Sequence, residues 1–193
     1  RMKRTLVAIL FIAASTTVGA APDWSLSLTD AQMAEAEATY QQYCALCHGA
    51  DRSGYRADHA PSLRTHSLLS TAYPRFLFSA IGYGRANTAM EGYSTEMGGP
   101  LSRDRIRLLT RWLAQIEGIE RTELDHDAVI EGDATRGAAI YATECAQCHG
   151  ETGQGVSAPS LGDQALLANA SDAFLRYAIV NGREGTPMVP FAD

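Results

Sequence analysis

A six-residue pattern with two cysteines occurs twice, and its two occurrences contain all four cysteines of the chain. The chain reads CALCHG at residues 44–49 and CAQCHG at residues 145–150. The likeness begins earlier, because Tyr40 and Tyr141 stand at the same distance before the two motifs, 101 residues apart. Such self-similarity in a chain of 193 residues indicates the duplication of one small unit.

The similarity resumes at an offset of 98 residues and continues to a methionine in each copy. APSL occurs at residues 60–63 and again at residues 158–161. The matched pairs that follow are Phe76 with Phe174, Ala80 with Ala178, Gly84 with Gly182, Arg85 with Arg183 and Met90 with Met188. The change of offset places a single three-residue difference between the histidine of each motif and the proline that follows it.

The first 20 residues have the pattern of an export signal. Basic residues precede an apolar run at residues 6–14, and small residues around Ala20 offer a cleavage site. The apolar run is shorter than the roughly 20 residues that a membrane-spanning helix needs. Residues 1–20 are therefore predicted to be a signal peptide, with a retained N-terminal anchor as the alternative.

An acidic stretch separates the two copies. Residues 117–133 carry seven acidic side chains and little apolar periodicity, which is typical of a linker, and His126 within it is expected to be solvated. The predicted domains are residues 21–121 (the first copy), residues 122–132 (the acidic linker) and residues 133–193 (the second copy).

The second copy stops at Asp193, five residues after Met188, whereas the first continues well past Met90. We expect the second copy to lack its closing helix in this chain. A fragment explains this best, and a partner that covers the exposed face is the alternative.

Helix signals in both copies predict an all-α fold, and no strand pattern stands out. Thr29 and Gln32 form a capping-box pattern for a helix that ends near Tyr43, and Asp133 is positioned to cap its counterpart. Pro74 and Gly82 are expected to bound a helix over residues 74–81.

Two further helices are predicted on similar grounds. Residues 171–180 form the twin of the helix at 74–81, closed near Gly182. An amphipathic helix is predicted over residues 103–117, with Gly118 at its end. Its apolar face consists of Ile106, Leu109, Leu113 and Ile116.

Two cysteines three positions apart, followed directly by histidine, form the attachment sequence for c-type haem. Each thiol adds across one vinyl group to give a thioether, and the spacing lets both cysteines reach neighbouring corners of one porphyrin. The histidine then supplies the proximal iron ligand. The sequence therefore predicts two covalently attached haem c groups, one at Cys44, Cys47 and His48 and one at Cys145, Cys148 and His149.

Other uses of these cysteines fit the spacing less well. A four-cysteine zinc site places its pairs about 15–20 residues apart, whereas 97 residues lie between Cys47 and Cys145. A thioredoxin-like pair does not call for an adjacent histidine. Disulfides within each pair are compatible with export but close very small loops that stabilise little.

The repeat favours methionine as the sixth iron ligand. Met90 and Met188 match each other and follow the motif histidines by 42 and 39 residues. Pairing histidine with methionine raises the reduction potential of a haem, and a filled sixth site favours one-electron transfer over the binding of small molecules. The other candidates, all in the first copy, are Met33, His59, His66 and Met97.

Further repeated residues carry weaker signals. Pro61 and Pro159 are expected to hold a loop carbonyl against the second N–H of each imidazole. Arg85 and Arg183 are candidates for pairing with haem propionates, with exposed arginines at helix ends as the alternative. The tyrosines before the motifs are expected to pack on the haem edge.

With these residues, the chain resembles the bacterial two-domain dihaem cytochromes c. Both motifs and their methionines match the ligand motifs of class I cytochrome c domains, and MGGPLSRDRIRLLTRWLAQI resembles the closing helix of such a domain. The resemblance implies two tandem cytochrome c-like helical haem domains that face each other, the second without its C-terminal helix, and electron transfer in the periplasm.

Three functions follow from these features. The first is an electron carrier between redox proteins, including a membrane respiratory or photosynthetic complex that it contacts through its N-terminus or as a bound subunit. The second is the haem-bearing subunit of a larger oxidoreductase, such as a sulfur-compound or alcohol dehydrogenase. The third is a zinc-binding module. Nucleic acid is excluded as a partner because the chain has a net charge of −6.

Overall fold

The computed structural model describes Trp24, residues 26–55 and residues 57–191. The predicted signal peptide lies outside these residues. The described part of the chain contains helices and one isolated bridge between Ser94 and Leu101, but no strand. The α-helices are α1 (Asp30–Tyr43), α2 (Ala45–His48), α3 (His66–Leu69), α4 (Pro74–Tyr83), α5 (Arg103–Gln115), α6 (Ala134–Ile140), α7 (Ala146–His149), α8 (Gln164–Asn169) and α9 (Asp172–Asn181). A 3-10 turn (Thr95–Met97) precedes α5, and a π-helical turn (Tyr141–Cys145) joins α6 to α7.

The ends of the longer helices follow the sequence signals. Both bonds of the capping box between Thr29 and Gln32 are present at the start of α1. The Asp133 side chain accepts from Arg136 N–H at the start of α6, and Ser171 caps α9 in the same way. The predicted end of α4 at Gly82 is wrong. The helix continues to Tyr83, because the residue that adopts the positive φ needed to leave it is Gly84.

The first copy has its own apolar core, to which α1, α4 and α5 contribute. The predicted inner face of α5 is confirmed, since Ile106, Leu109 and Leu113 are buried. Trp112 lies beside them, with its ring 5.4 Å from that of Tyr40 on α1. The core consists of Ala36, Tyr40, Ile81, Leu101, Ile106, Leu109, Trp112 and Leu113. This core holds α1, and therefore the motif that directly follows it.

A second apolar cluster joins the two copies. Helix α4 of the first copy packs on α8 of the second, and α3 packs on α9. These are equivalent pairs, because α9 repeats α4 and α8 repeats α3 at the 98-residue offset. At the centre, the rings of Phe76 and Phe174 lie 4.8 Å apart. Ala72, Leu77 and Leu166 complete the buried cluster. The copies thus face each other across a shared hydrophobic core.

The acidic linker is attached to both copies. The Thr122 N–H donates to the Ser70 carbonyl of the first copy at 2.9 Å. The expectation that His126 is solvated is wrong. Its ring packs edge-on against Tyr73 at 4.5 Å, and its Nδ1 lies 2.8 Å from the Ser171 hydroxyl. The linker therefore bridges the copies rather than crossing open solvent. Among the described residues, no helix combines the length and apolar character needed to cross a membrane.

Candidate functional site

The first CxxCH motif forms a tight turn directly after α1. Cys44 follows the last residue of α1, α2 is a single turn, and the His48 amide donates to the Cys44 carbonyl at 3.0 Å. The His48 side chain is buried, and burial lowers its pKa although the hydrogen bond that it donates to the Pro61 carbonyl opposes this. The imidazole is therefore neutral, which is the form that binds a metal ion.

The carbonyl predicted to orient each imidazole is present in both copies. Nδ1 of His48 lies 2.8 Å from the Pro61 carbonyl oxygen, and Nδ1 of His149 lies 2.8 Å from that of Pro159. A carbonyl only accepts, so Nδ1 carries the proton in both rings. This leaves Nε2, with its lone pair, as the nitrogen available to a metal.

Two glycines that the sequence analysis missed let the proline loop approach the histidine. Gly54 and Gly155 donate to the carbonyls of His48 and His149, each at 2.7 Å. Both have positive φ, +79° and +85°. A Cβ on Gly54 would meet the Ser62 nitrogen at 2.3 Å. The signal was in the sequence, because each glycine stands five residues after the glycine of CHG.

The tyrosines before the motifs have a defined contact. The hydroxyls of Tyr40 and Tyr141 donate to the carbonyls of Gly49 and Gly150, both at 2.6 Å. Each hydroxyl ties the helix before the motif to the glycine at its end. Tyr40 is fully buried, and this burial raises its pKa, so its hydroxyl remains a donor.

The four cysteines are free thiols and are half-buried. Burial, together with the neighbouring Cys47, raises the pKa of Cys44 to about 12. Burial and Glu144 raise the pKa of Cys145. Both are therefore thiols at neutral pH.

The two methionine loops have the same hydrogen bonds. Arg85 N–H donates to the Met90 carbonyl at 2.8 Å, and Arg183 N–H donates to that of Met188 at 2.9 Å. In each loop a threonine hydroxyl, that of Thr88 or Thr186, accepts from the methionine N–H at 3.1 Å. Both methionines are half-buried. The repeat that the sequence suggested for these residues is thus a repeat of structure.

In the first copy the methionine loop is connected to the motif. Met90 and Cys44 pack against the same apolar core. The Tyr93 hydroxyl, three residues after Met90, donates to the Tyr43 carbonyl at 2.9 Å. The loop that follows Met90 is therefore hydrogen-bonded to the residue that precedes Cys44.

Arg85 and Arg183 are partly buried at the junction of the copies. The Arg85 guanidinium lies 4.7 Å from the Phe76 ring centre, and that of Arg183 lies 5.0 Å from the Phe174 ring centre. Burial lowers the pKa of Arg85, while nearby Asp163 raises it. Nη1 of Arg85 is buried and has no hydrogen-bond partner in the described part of the chain.

These features fit a haem. A buried guanidinium N–H needs an acceptor, and a propionate is an acceptor of opposite charge. The imidazoles present Nε2, two free thiols precede each histidine, and a methionine stands in each matching loop. Among the described residues, no group of three or more His, Cys, Asp or Glu side chains is arranged to hold a metal ion.

The other ligand candidates have no counterpart in the second copy. His59 and Met97 are exposed, and His66 starts α3 on the surface. Met33 is part of α1 and packs against the core of the first copy.

Comparison with known proteins identifies the family. The family model described as "Cytochrome C oxidase, cbb3-type, subunit III" matches residues 31–113 and 132–193. The cbb3-type cytochrome c oxidase subunit CcoP of Azospirillum sp. (strain B510) is 28% identical over 171 residues, which is 79% of this chain and 54% of that protein. The corresponding subunit FixP of Azorhizobium caulinodans is 29% identical over 161 residues, covering 79% of this chain and 51% of that protein.

The chain spans about half the length of these relatives. A solved structure, the Kuenenia stuttgartiensis reducing HAO-like protein complex Kustc0457/Kustc0458, aligns with a TM-score of 0.42 and 19% identity, covering 86% of this chain and 89% of that chain. The family model covers most of the chain and includes both motifs. The chain is therefore a bacterial dihaem cytochrome c with two covalently attached haems, and it belongs to the family of cbb3-type cytochrome c oxidase subunit III.

Proposed function

We propose that this chain passes single electrons between redox proteins through two haems with histidine and methionine ligands. The observation that carries the proposal is the matched hydrogen bond from His48 to Pro61 and from His149 to Pro159, each 2.8 Å long. It fixes both imidazoles in the tautomer that presents Nε2 to iron.

The chain's own residues have distinct roles in this proposal. The motif cysteines, Cys44, Cys47, Cys145 and Cys148, form the thioether links. Met90 and Met188 would supply the sixth ligands, which would leave neither iron a free site for substrate. When bound, each haem gains and loses one electron at its iron. The motif turns and the buried core hold the ligands in place during that exchange, which supports a carrier rather than an enzyme.

The partners follow from the family. The relatives are named as subunits of cbb3-type oxidases, so we propose a membrane respiratory complex of this type as one redox partner. The haem domains then lie on the periplasmic side, where c-type haems are attached. A haem-bearing subunit of another oxidoreductase is the second candidate.

Cysteine variants test the haem sites. The chain would be produced in a bacterium with c-type haem maturation and analysed by mass spectrometry and by acid extraction. We expect two added haems in the parent chain and one in the Cys44→Ala/Cys47→Ala variant or the Cys145→Ala/Cys148→Ala variant. An unchanged haem count in either variant would refute the attachment sites.

Methionine variants test the sixth ligand. Ferric haem with a thioether ligand has a weak absorption band at the red edge of the visible spectrum. Met90→Ala and Met188→Ala should each remove about half of this band, lower one midpoint potential and allow carbon monoxide to bind the ferrous form. Met97→Ala is the matched control, because Met97 is exposed and has no counterpart in the repeat. Carbon monoxide binding by the parent chain would instead favour catalysis.

A further inference from the structure

The loop that carries Met188 is held by the opposite copy. The Glu184 carboxylate accepts from the Ser67 hydroxyl at 2.6 Å and from the Ser67 N–H at 3.1 Å. Arg183 Nη1 donates to the Ser67 carbonyl at 2.8 Å. Arg183 and Glu184, which are consecutive in the second copy, thus bind the carbonyl, the N–H and the hydroxyl of Ser67 in the first copy.

Ser67 depends on this contact. It is buried, with 1% of its surface exposed, and it lies in the first turn of α3. Thr65, the residue before α3, makes no side-chain capping bond. Glu184 therefore provides the acceptor that the chain's own capping residue does not supply.

The contact is close to Met188 along the chain and through hydrogen bonds. Arg183 also donates its N–H to the Met188 carbonyl at 2.9 Å. The Thr186 hydroxyl connects the Arg183 carbonyl, at 2.8 Å, to the Met188 N–H, at 3.1 Å. The residues that bind Ser67 are thus part of the same short turn that sets the position of Met188.

A reciprocal contact reaches the other methionine loop. Ala86 N–H, four residues before Met90, donates to Asp163 Oδ2 at 3.2 Å. Asp163 is buried and uses its other oxygen to cap α8 at Ala165. Each methionine loop is therefore attached to the opposite copy through a carboxylate.

We propose that each copy positions the axial methionine of the other, and that Glu184 and Ser67 are positioning residues for Met188. The proposal rests on the function proposed above, because it takes Met188 as an iron ligand. It predicts that the bond between Met188 and iron is weakened by changes in the first copy, far from Met188 in sequence. Glu184 and Ser67 touch neither the haem nor the reacting atoms in this scheme.

The test isolates the Met188 signal. In a Met90→His background, the thioether absorption band of the ferric protein comes from the second haem alone. The band is followed as guanidinium is added to the purified holoprotein. Glu184→Ala and Ser67→Ala should each increase the equilibrium constant for loss of the band about tenfold, because each removes a hydrogen bond to a charged group. Glu184→Gln retains an acceptor for Ser67, so the band should be lost less readily in this variant than in Glu184→Ala.

Controls separate positioning from general stability and from failure of the proposed function. Glu131→Ala removes an exposed carboxylate in the linker and should leave the band unchanged. Helical circular dichroism should persist where the band is lost in Glu184→Ala. Equal guanidinium midpoints for Glu184→Ala, Ser67→Ala and Glu131→Ala would overturn the positioning role. A band that survives Met188→Ala in the same background would instead overturn the ligand assignment.

Discussion

Replacing Gly54 by alanine tests whether close approach of the proline loop sets the orientation of the haem histidine. A Cβ at Gly54 would lie 2.3 Å from the Ser62 nitrogen and 2.6 Å from the Pro61 carbonyl carbon. These atoms belong to the peptide whose oxygen accepts the His48 Nδ1–H. The peptide must therefore move, and its hydrogen bond with the imidazole is lost or lengthened.

The magnitude follows from two contributions. Alanine at the positive φ of Gly54 costs about 1–2 kcal/mol, and an unmade hydrogen bond at a buried group costs about 1–3 kcal/mol. Gly98 is the matched control, since its φ is +82° but no atom lies within 4 Å of its Cβ position. Gly98→Ala therefore carries only the first contribution. At about 2–4 °C per kcal/mol for a chain of this size, we expect Tm to fall by about 2–8 °C for Gly98→Ala and by about 4–20 °C for Gly54→Ala, with the larger fall in Gly54→Ala.

The assay follows the ferric holoprotein by circular dichroism and by haem absorbance. Gly155→Ala should be intermediate, because its Cβ would meet the Ser160 nitrogen at 2.9 Å, a contact that a smaller shift relieves. The midpoint potential of the first haem should also rise in Gly54→Ala, since an imidazole that has lost its Nδ1–H acceptor is a weaker base and stabilises ferric iron less. Equal Tm values for Gly54→Ala and Gly98→Ala, with an unchanged potential, would refute the reasoning.

Three further predictions concern the packing and the junction of the copies. Burial raises the pKa of Glu184, but hydrogen bonds from Ser67 and attraction by His66 outweigh burial, so the pKa is lowered from 4.5. The stabilising contribution of the ionised Glu184 is therefore complete above pH 4.5 and is lost as the pH falls through the lower pKa of the folded state. Guanidinium midpoints should accordingly fall less on acidification in Glu184→Gln than in the parent chain. Trp112→Ala should lower the free energy of unfolding by about 3–5 kcal/mol, whereas Tyr83→Ala, at an exposed position, should change it by about 0.5 kcal/mol or less; similar denaturation midpoints would count against the core described here. A double-mutant cycle of Phe76→Leu and Phe174→Leu should give a coupling of about 0.5–1.5 kcal/mol, and additive effects would show that the two rings do not interact.

The local parts of the fold were predictable because their signals lie within a few residues. The capping box at Thr29 and the apolar spacing of α5 each involve one helical turn or one helix face. The end of α4 was misplaced because Gly82 and Gly84 both stand where a helix can stop. Gly84 is distinguished by its positive φ and by the approach of the Met90 carbonyl oxygen, 2.6 Å from a Cβ on Gly84. The repeat contained the answer, since Gly182, which ends α9, matches Gly84.

The haem motifs were predictable for a similar reason, whereas their surroundings were not. CxxCH and the carbonyl of the following proline form a local unit. The placement of Arg85 beside Asp163, by contrast, depends on how two copies pack, and no periodicity within one copy specifies that. One signal was available in α4, whose sequence PRFLFSAIGY is apolar almost all round, as expected for a helix that packs on both sides.

The carboxylates at the junction favour pairing between the two unlike copies over pairing between like copies. Asp163 and Glu184 each occur in the second copy alone, and the matching positions of the first copy hold Thr65 and Ala86. Pairing of two first copies by the same contacts would place neither carboxylate against Ser67 or against the N–H of Ala86. Pairing of two second copies would bring Glu184 of one to Asp163 of the other, and like charges at such a distance repel. Only the unlike pair satisfies both loops, so Asp163 and Glu184 favour the pairing of the unlike copies over the pairing of like ones.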